Sequence, residues 1–483
     1  MIARRLSLPM AAFVALTAGC TVLGPDYERP QSALPGAFPG AGASGPAVSI
    51  QAQWWKLYND AVLDEFVAAA LARNADIRIA TARIEETDAN LREAGAAFLP
   101  PVDFGTTGSR TGVSTRTAVP VPSTSPIIRN NLRVTASTSF EVDFWGRLRR
   151  NAESARGLAL ASRYAREVVA LSLAGVTAQS YFSLRSLDAQ ITVTGQTLKS
   201  RAESRELVRA RARGGLASDL DVNQTELAFR DASSQLTELR RQRLLVEHQL
   251  GVLTGRPDLA VAPGTLAALP VPPMPPAGLP STLLERRPDV RQAEQQLVAA
   301  NAQIGIAKAA MMPTISLTGN LGAESRALST LTSSGAGIWS LGFGLALPIF
   351  DAGRLQARSD AAEARQRQSL GNYQKAAESA YREVADALSN LQQTTANEED
   401  LDARAAVARS TLRLARLRYE AGYSAYLEVL DAQRTANDAE LALLRNRQSR
   451  LSATVDLMKA LGGGWSEDSV REGLPAIGAA AAK

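Results

Sequence analysis

Cysteine and histidine are almost missing: 483 residues hold one of each, Cys20 and His248. That excludes a disulfide scaffold, a zinc cluster and any Cys/His catalytic pair. Aromatic residues make up only 5% of the chain, too few for a stacked ligand pocket to be its main feature. No nucleophile–base pair stands out either, so an envelope enzyme has no visible machinery. A real charge excess is lacking too, since 53 Lys and Arg face 48 Asp and Glu. Two of the positives, Arg4 and Arg5, fall in a segment expected to be cleaved. Arginines alternate with acids, as in Arg201-Ala-Glu203-Ser-Arg205-Glu206, a pattern that reads as a solvated helix face. Nucleic-acid binding would need those bases gathered in one patch, so no nucleic-acid partner is expected. His248 and Met311-Met312 have no second ligand nearby and read as packing residues, with no metal site.

What is present begins with an address. Residues 1–19 read as a signal peptide: Arg4 and Arg5, an apolar stretch from Leu6 to Leu16, then Thr17-Ala18-Gly19 before Cys20. The apolar stretch is too short to span a bilayer. An ordinary signal with a chance cysteine would look similar. The small pair directly before the sole cysteine favours a bacterial lipoprotein signal, in which the thiol takes a lipid and becomes the mature N-terminus. Thr17 departs from that pattern, standing where Leu is usual, with Leu16 one place earlier. Residues 20–61 then form a lipidated arm that opens with Gly24-Pro25-Asp26-Tyr27-Glu28-Arg29-Pro30. It stays rich in Pro, Gly and Ala to about Ile50 and reads as an extended segment on the protein surface.

The body is duplicated. Asp143-Phe-Trp-Gly146-Arg147-Leu148 recurs as Phe350-Asp-Ala-Gly353-Arg354-Leu355, and Gly215 recurs as Gly422, each glycine pair 207 residues apart. Two separate landmarks at one offset mark a true repeat. The first repeat covers 62–254 and the second 281–464, joined by a proline-rich connector at 255–280 and followed by a tail at 465–483. The connector reads as an extended strap around the outside of the helices.

Each repeat opens with a helical stretch, 62–97 or 281–311, and then switches to period two. Leu132, Val134, Ala136, Phe140, Val142 and Phe144 alternate with polar residues, as do Trp339, Leu341, Phe343, Leu345 and Leu347. Together with a row at Ile315, Leu317 and Leu321 and a weaker one from Val102 and Phe104, this predicts four amphipathic strands in two hairpins. Polar loops are expected near 108–130 and 324–336. A small sheet packed on helices would need a matching apolar cover, and the sequence offers none. About ten residues per strand with one apolar row suit a membrane barrel. Four strands cannot close such a barrel, so the strands predict an oligomer.

Beyond each Gly-Arg landmark the helical pattern is very long. Val384, Ala387, Leu391, Thr394, Glu398, Leu401, Ala405, Ala408, Leu412, Ala415 and Tyr419 keep 4-3 spacing, a coiled-coil seam of mostly small residues interrupted at Thr394 and Glu398. A returning seam is read through Leu427, Leu430, Arg434, Asn437, Leu441 and onward. The proline-free run from Arg147 to Arg213 would be roughly 100 Å long as a helix, which suits a long bundle or wall.

These landmarks together resemble the TolC-like outer-membrane efflux factors, most closely their lipoprotein branch of the NodT type. The resemblance covers Cys20 to Gly464. It rests on Gly24-Pro25-Asp26-Tyr27, Asp143-Phe-Trp-Gly-Arg-Leu, Arg287-Pro288-Asp289, Phe350-Asp-Ala-Gly-Arg-Leu and Tyr426-Leu427-Glu-Val-Leu430-Asp431-Ala-Gln-Arg434. It implies a mainly α fold with a membrane β-barrel: a homotrimer sharing one 12-stranded barrel, continued by a hollow α-barrel across the periplasm. It implies the exit duct of a tripartite efflux pump in the outer membrane, working with a periplasmic adaptor and an inner-membrane transporter. No enzyme activity is implied, and no cofactor beyond the covalent lipid on Cys20. A trimeric coiled coil or surface adhesin would share the seams but need neither the strands nor the duplication.

Leu427, Asp431 and Arg434 share a helix face at i, i+4 and i+7. They read either as a seam residue beside a local ion pair or, as the resemblance implies, as the periplasmic gate. The repeat equivalents of Asp431 and Arg434 are Gln224 and Leu227, so one ring of aspartates would form per trimer, and acid rings favour cations. Gly214, Gly215, Leu216 and Ser218, with Gly422, Tyr423 and Ser424, read as helix-ending turns. The resemblance adds adaptor contact to that role. At the other end of the chain, Thr21 after the cysteine implies sorting to the outer membrane. Cys20→Ala should abolish acylation, which mass spectrometry of the mature N-terminus decides; an unmodified residue 20 in the wild type ends the lipoprotein assignment.

Overall fold

A helix with no proline and few glycines can run as far as neighbours cover it, and this chain does so twice. The computed structural model describes residues 22–31, 34–38, 51–116, 122, 124–266, 269–272 and 285–475. The signal segment, Cys20 and most of the connector's proline run lie outside the described residues. After a short 3-10 turn, Trp54–Tyr58, come α1 (Ala61–Arg73) and α2 (Ala75–Ala96). One helix was expected over 62–97. Asn74 breaks it: its backbone is extended, its Oδ1 accepts from Asp76 N at 2.8 Å, and its Nδ2 donates to Leu253 O at 3.0 Å. A side chain that offers the backbone a cap competes with helix continuation.

Strands β1 (Asp103–Gly112) and β2 (Ile128–Val142) lead into α3 (Arg147–Arg213) and α4 (Asp219–Leu253). The second repeat runs α5 (Pro288–Ala309), β3 (Thr314–Ser325), β4 (Gly337–Ala346), α6 (Arg354–Glu420) and α7 (Tyr426–Ala460), with a short α8 (Glu467–Arg471) after it. Pro288 occupies the first turn of α5, where its missing N–H costs nothing; the expected start at 281 lies outside the described residues. Helices α3 and α6 are each 67 residues and α4 and α7 each 35, in the same register 207 residues apart. The strands run longer than expected at their outer ends, with β1 reaching Gly112, β2 starting at Ile128 and a loop at 326–336 between β3 and β4.

The sheet is an antiparallel meander in the order β1-β2-β3-β4. Its register stacks like on like: Val142, Ile315 and Leu345 share a rung, as do Phe140, Leu317 and Phe343, and Ala136, Leu321 and Trp339. The alternate rungs put Ser139 beside Thr318 and Gly342, and Ser137 beside Asn320 and Ser340. On that polar face Arg133 pairs with Glu324 at 3.1 Å. Nothing among the described residues covers the apolar face; Trp339, Leu341 and Phe343 are 74%, 82% and 81% exposed. Among the described residues no helix is long and apolar enough to cross a membrane.

The helices are packed most densely near their middle. Trp54, Tyr58, Phe66, Tyr181, Phe182, Leu250 and Leu451 form one core, and Val290, Leu297, Tyr373, Val384, Leu391 and Leu457 a second. The connector is more than an outer strap, because Val261 and Leu266 are buried in the first core. Buried ion pairs pin it there. Asp188 accepts from Arg243 at 2.7 Å and from Gly264 N at 2.9 Å, and Glu247 accepts from Val261 N at 2.6 Å. Towards the α3–α4 and α6–α7 turns only thin clusters remain, such as Ala405, Ala408, Ala436 and Ala439. Most seam positions on α6 are buried as the spacing predicts, namely Val384, Ala387, Leu391, Ala405, Ala408, Ala415 and Tyr419, while Thr394, Glu398, Leu401 and Leu412 are half-buried. His248, expected to pack, is exposed, and Met311 and Met312 are half-buried.

An arginine at Phe343 should cost about 2–4 kcal/mol if that face meets the middle of a bilayer, and it should impair assembly. Arginine at Ser340, on the polar face, should be tolerated. Equal loss of oligomer for Phe343→Arg and Ser340→Arg, read by gel filtration in detergent, would refute the orientation of the strands.

Candidate functional site

Two places combine special backbone with exposed chemistry: the junction between sheet and helices, and the turns at the far end of the helices. At the junction Gly146 and Gly353 both take left-handed φ, 80° and 83°, just before α3 and α6. A carboxylate caps each helix from outside it. Asp143 accepts from Leu148 N at 2.9 Å and Arg149 N at 3.0 Å, and Asp351 from Leu355 N at 2.8 Å. Negative charge at a helix N-terminus is favourable. It holds although the two aspartates sit at different offsets from their glycines. The arm docks at the same level. Leu23 N donates to Trp145 O at 3.1 Å, Arg150 bonds Asp26 at 2.7 Å, and a Cβ on Gly146 would come within 2.6 Å of Val22. Farther along, Arg29 Nε donates to the buried Glu294 at 2.6 Å, and Tyr27 OH, also bonded to Glu294, is pushed up by burial.

At the other end each long helix stops in a Schellman turn. Gly215 and Gly422 are left-handed at φ 71° and 80°. Leu216 N donates to Arg211 O and Tyr423 N to Arg418 O, both at 2.8 Å. The residue after the glycine usually folds back on the helix; here Leu216 and Tyr423 are 81% and 80% exposed. The two turns are tied together, since Arg211 lies over the Tyr419 ring at 4.4 Å and donates to Tyr419 O and Glu420 O. They are capped unequally. Ser218 and Asp221 form a reciprocal capping box on α4, whereas Ala425 has no side-chain cap to give α7.

The returning seam differs from the one read in sequence. Tyr426, Val429, Gln433 and Ala436 are the buried positions near the turn, which rotates Leu427 and Arg434 out of the seam. Leu427 is 58% exposed. Arg434 and Asp431 pair at 3.2 Å while remaining 71% and 67% exposed. An exposed pair at this spacing is worth about half a kcal/mol. All three border a cavity of about 230 Å³ between α4 and α7, with Gln224, Leu227, Asp231 and, at its wall, Arg201. Ser424 Oγ, by contrast, is buried without a partner. Arg201 was read as part of a solvated face and is 8% exposed; charge alternation alone cannot tell which arginine of a series turns inward. Tyr426 packs edge-on against Tyr419, 5.4 Å between ring centres. That ring pair draws the seam one position back from Leu427.

The match to known proteins is nearly end to end. Residues 67–256 and 279–463 match the family described as outer membrane efflux protein. The chain belongs to the outer membrane efflux protein family. The solvent efflux pump outer membrane protein SrpC of Pseudomonas putida is 35% identical over 474 residues, 95% of this chain and 98% of the relative. The cation efflux system protein CusC of Escherichia coli is 34% identical over 469 residues, 95% and 99%. The solved structure of a membrane protein from Pseudomonas aeruginosa superposes with a TM-score of 0.85 at 33% identity, covering 92% of this chain and 98% of that one. Members of the efflux family are channel proteins, so the exposed turns and groove lie on a conduit.

Ser218→Ala removes the capping box of α4 and should cost about 1 kcal/mol locally. Hydrogen exchange of amides 218–222 should speed up about fivefold, with amides 425–429 unchanged. Equal acceleration at both turns would mean that the turns open as one unit.

Proposed function

We propose that the chain is the outer-membrane duct of a tripartite efflux pump, passively conducting cargo delivered by an inner-membrane transporter through a periplasmic adaptor. It acts without covalent chemistry of its own and is not an enzyme. The observation that carries this reading is the four-stranded sheet with an uncovered apolar face and two open edges. Strand edges in lipid leave unpaired backbone groups, so they must be closed by other copies. Three copies give 12 strands, and each adds its α3–α4 and α6–α7 hairpins to a helical tube. Relatives named for solvents and for cations share this scaffold, which is consistent with cargo being chosen upstream.

The anchor is read as a lipid on Cys20. Supporting it, Val22 and Leu23 are held at the sheet–helix junction, two residues from the cysteine. An acyl chain there would reach the inner leaflet, at about 0.8 kcal/mol per buried CH₂. The exposed Leu216 and Tyr423, with Gly214, Gly215, Ser218, Gly422 and Ser424 shaping their turns, would meet the adaptor.

The gate is read as Leu427, Asp431 and Arg434. Their exposure beside the α4–α7 groove favours a lumen-facing role over a seam role, since a seam residue would be covered. Detergent-extracted trimers should conduct ions in a planar bilayer. Replacing Leu427 and Asp431 by small neutral residues should raise conductance and weaken cation preference, with thermal dissociation of the trimer nearly unchanged. A destabilised trimer with normal current would move the gate elsewhere.

A further inference from the structure

Arg201 is the one arginine of its stretch that points inward, and it lacks an ion pair. It is 8% exposed, its Nη1 donates to Ala228 O at 2.6 Å, and its buried Nε has no partner. No carboxylate among the described residues lies within ion-pair distance of it. Removing a guanidinium from water without a counter-ion is costly, and that desolvation lowers its pKa, with Asp231 and Asp438 opposing at longer range. A purely structural arginine bonded to one carbonyl could be replaced by a neutral donor at no such cost. The cavity it borders supplies a reason for the charge. Its charged walls are Arg201 and Asp231 on one side and Asp431 and Arg434 on the other, which sum to zero.

We propose that Arg201 is a selectivity-determining residue of the duct: from the groove wall it supplies the counter-charge that lets three Asp431 carboxylates gather around the axis. The inference rests on the reading of Leu427, Asp431 and Arg434 as the constriction. Arg434 cannot fill this role alone, because its exposed pair with Asp431 is screened by water and salt. A charge held in a low-dielectric wall is screened far less, so its field extends into the pore with more force. Three grooves would set three arginines against three aspartates and keep the constriction only weakly cation-selective, a fitting state for a duct that must pass varied cargo. Without Arg201 the groove is left with one net negative charge per subunit, which draws cations and pushes the aspartates apart.

The test is the reversal potential of purified trimers in a planar bilayer across a potassium chloride gradient, alongside thermal dissociation of each trimer. Arg201→Gln should raise the potassium-to-chloride permeability ratio by roughly fivefold, the size expected for losing one unit charge beside a half-wet pore. Arg201→Lys, which keeps the charge, should stay within about twofold of wild type. Asp431→Asn should shift the ratio towards chloride. Equal stability loss for Arg201→Gln and Arg201→Lys with selectivity unchanged would overturn the proposal, leaving Arg201 as a tie to Ala228. An Asp431→Asn channel with unaltered selectivity would instead sink the placement of the constriction. If Arg201→Gln fails to assemble, Arg201→Met takes its place: it keeps the side-chain bulk without the charge and should raise the ratio by a similar factor, and an unchanged ratio overturns the proposal.

Discussion

Unpaired backbone at the two edges of the sheet is the constraint on which the architecture depends. β1 and β4 each present a row of N–H and C=O groups with no strand partner among the described residues, next to an apolar face that suits only lipid. Hydrocarbon offers no hydrogen bond, so each open group there costs several kcal/mol. A meander of four antiparallel strands ends with its edges running in opposite directions, so β4 of one copy can pair with β1 of the next without a crossover. Ring closure by identical copies follows, and it sets the helices in a ring as well. Their small-residue seams then make sense, because Ala and Ser at the interfaces let helices approach closely enough to form a continuous wall.

The duplication supplies most of the wall, and the proposed gate lies where the two repeats depart from each other. α3 and α6, and α4 and α7, agree residue for residue in length and register. Where the repeats differ, chemistry appears: Asp431 and Arg434 have Gln224 and Leu227 as equivalents, and Ser218, which caps α4, has Ala425. A duplicated gene begins with equal halves and would place six equal groups around a trimer axis. Divergence at these positions halves that number, so in the proposed gate three like charges would meet where six would repel more strongly.

Much of this was readable in the sequence because two of its signals are periodic and long. The 207-residue offset, the limits of α3 and the α6 seam from Val384 to Tyr419 all agree with the structure. They integrate over dozens of residues, which averages out local exceptions. The strands were legible for a similar reason, since a one-residue slip would turn Phe343 and Leu341 to the wrong face. The misreadings are local. Asn74 breaks a helix by capping, and Tyr426 takes the seam from Leu427 because two tyrosine rings meet. Arg201 hides among arginines that look alike. Each depends on which neighbour a side chain finds in three dimensions, and no spacing rule carries that information.

Packing is uneven along the helices in a way that matches their work. The middle holds the aromatic core, the buried Val261 and Leu266 of the connector, and the Asp188–Arg243–Glu247 ion pairs, all of which resist motion together. Beyond it only small clusters remain, alanines at Ala405, Ala408, Ala436 and Ala439 and a tyrosine pair beside the turns, and α4 and α7 stand apart across a groove. Local opening is easiest where few apolar contacts must be broken. A hairpin anchored at the middle of its 67-residue helix and at the far end of its 35-residue one is a lever, so a small tilt at that core becomes a large displacement at the turns. The core needs to be rigid for the same reason that the turns need to be loose: movement at the turns then leaves the barrel edges paired.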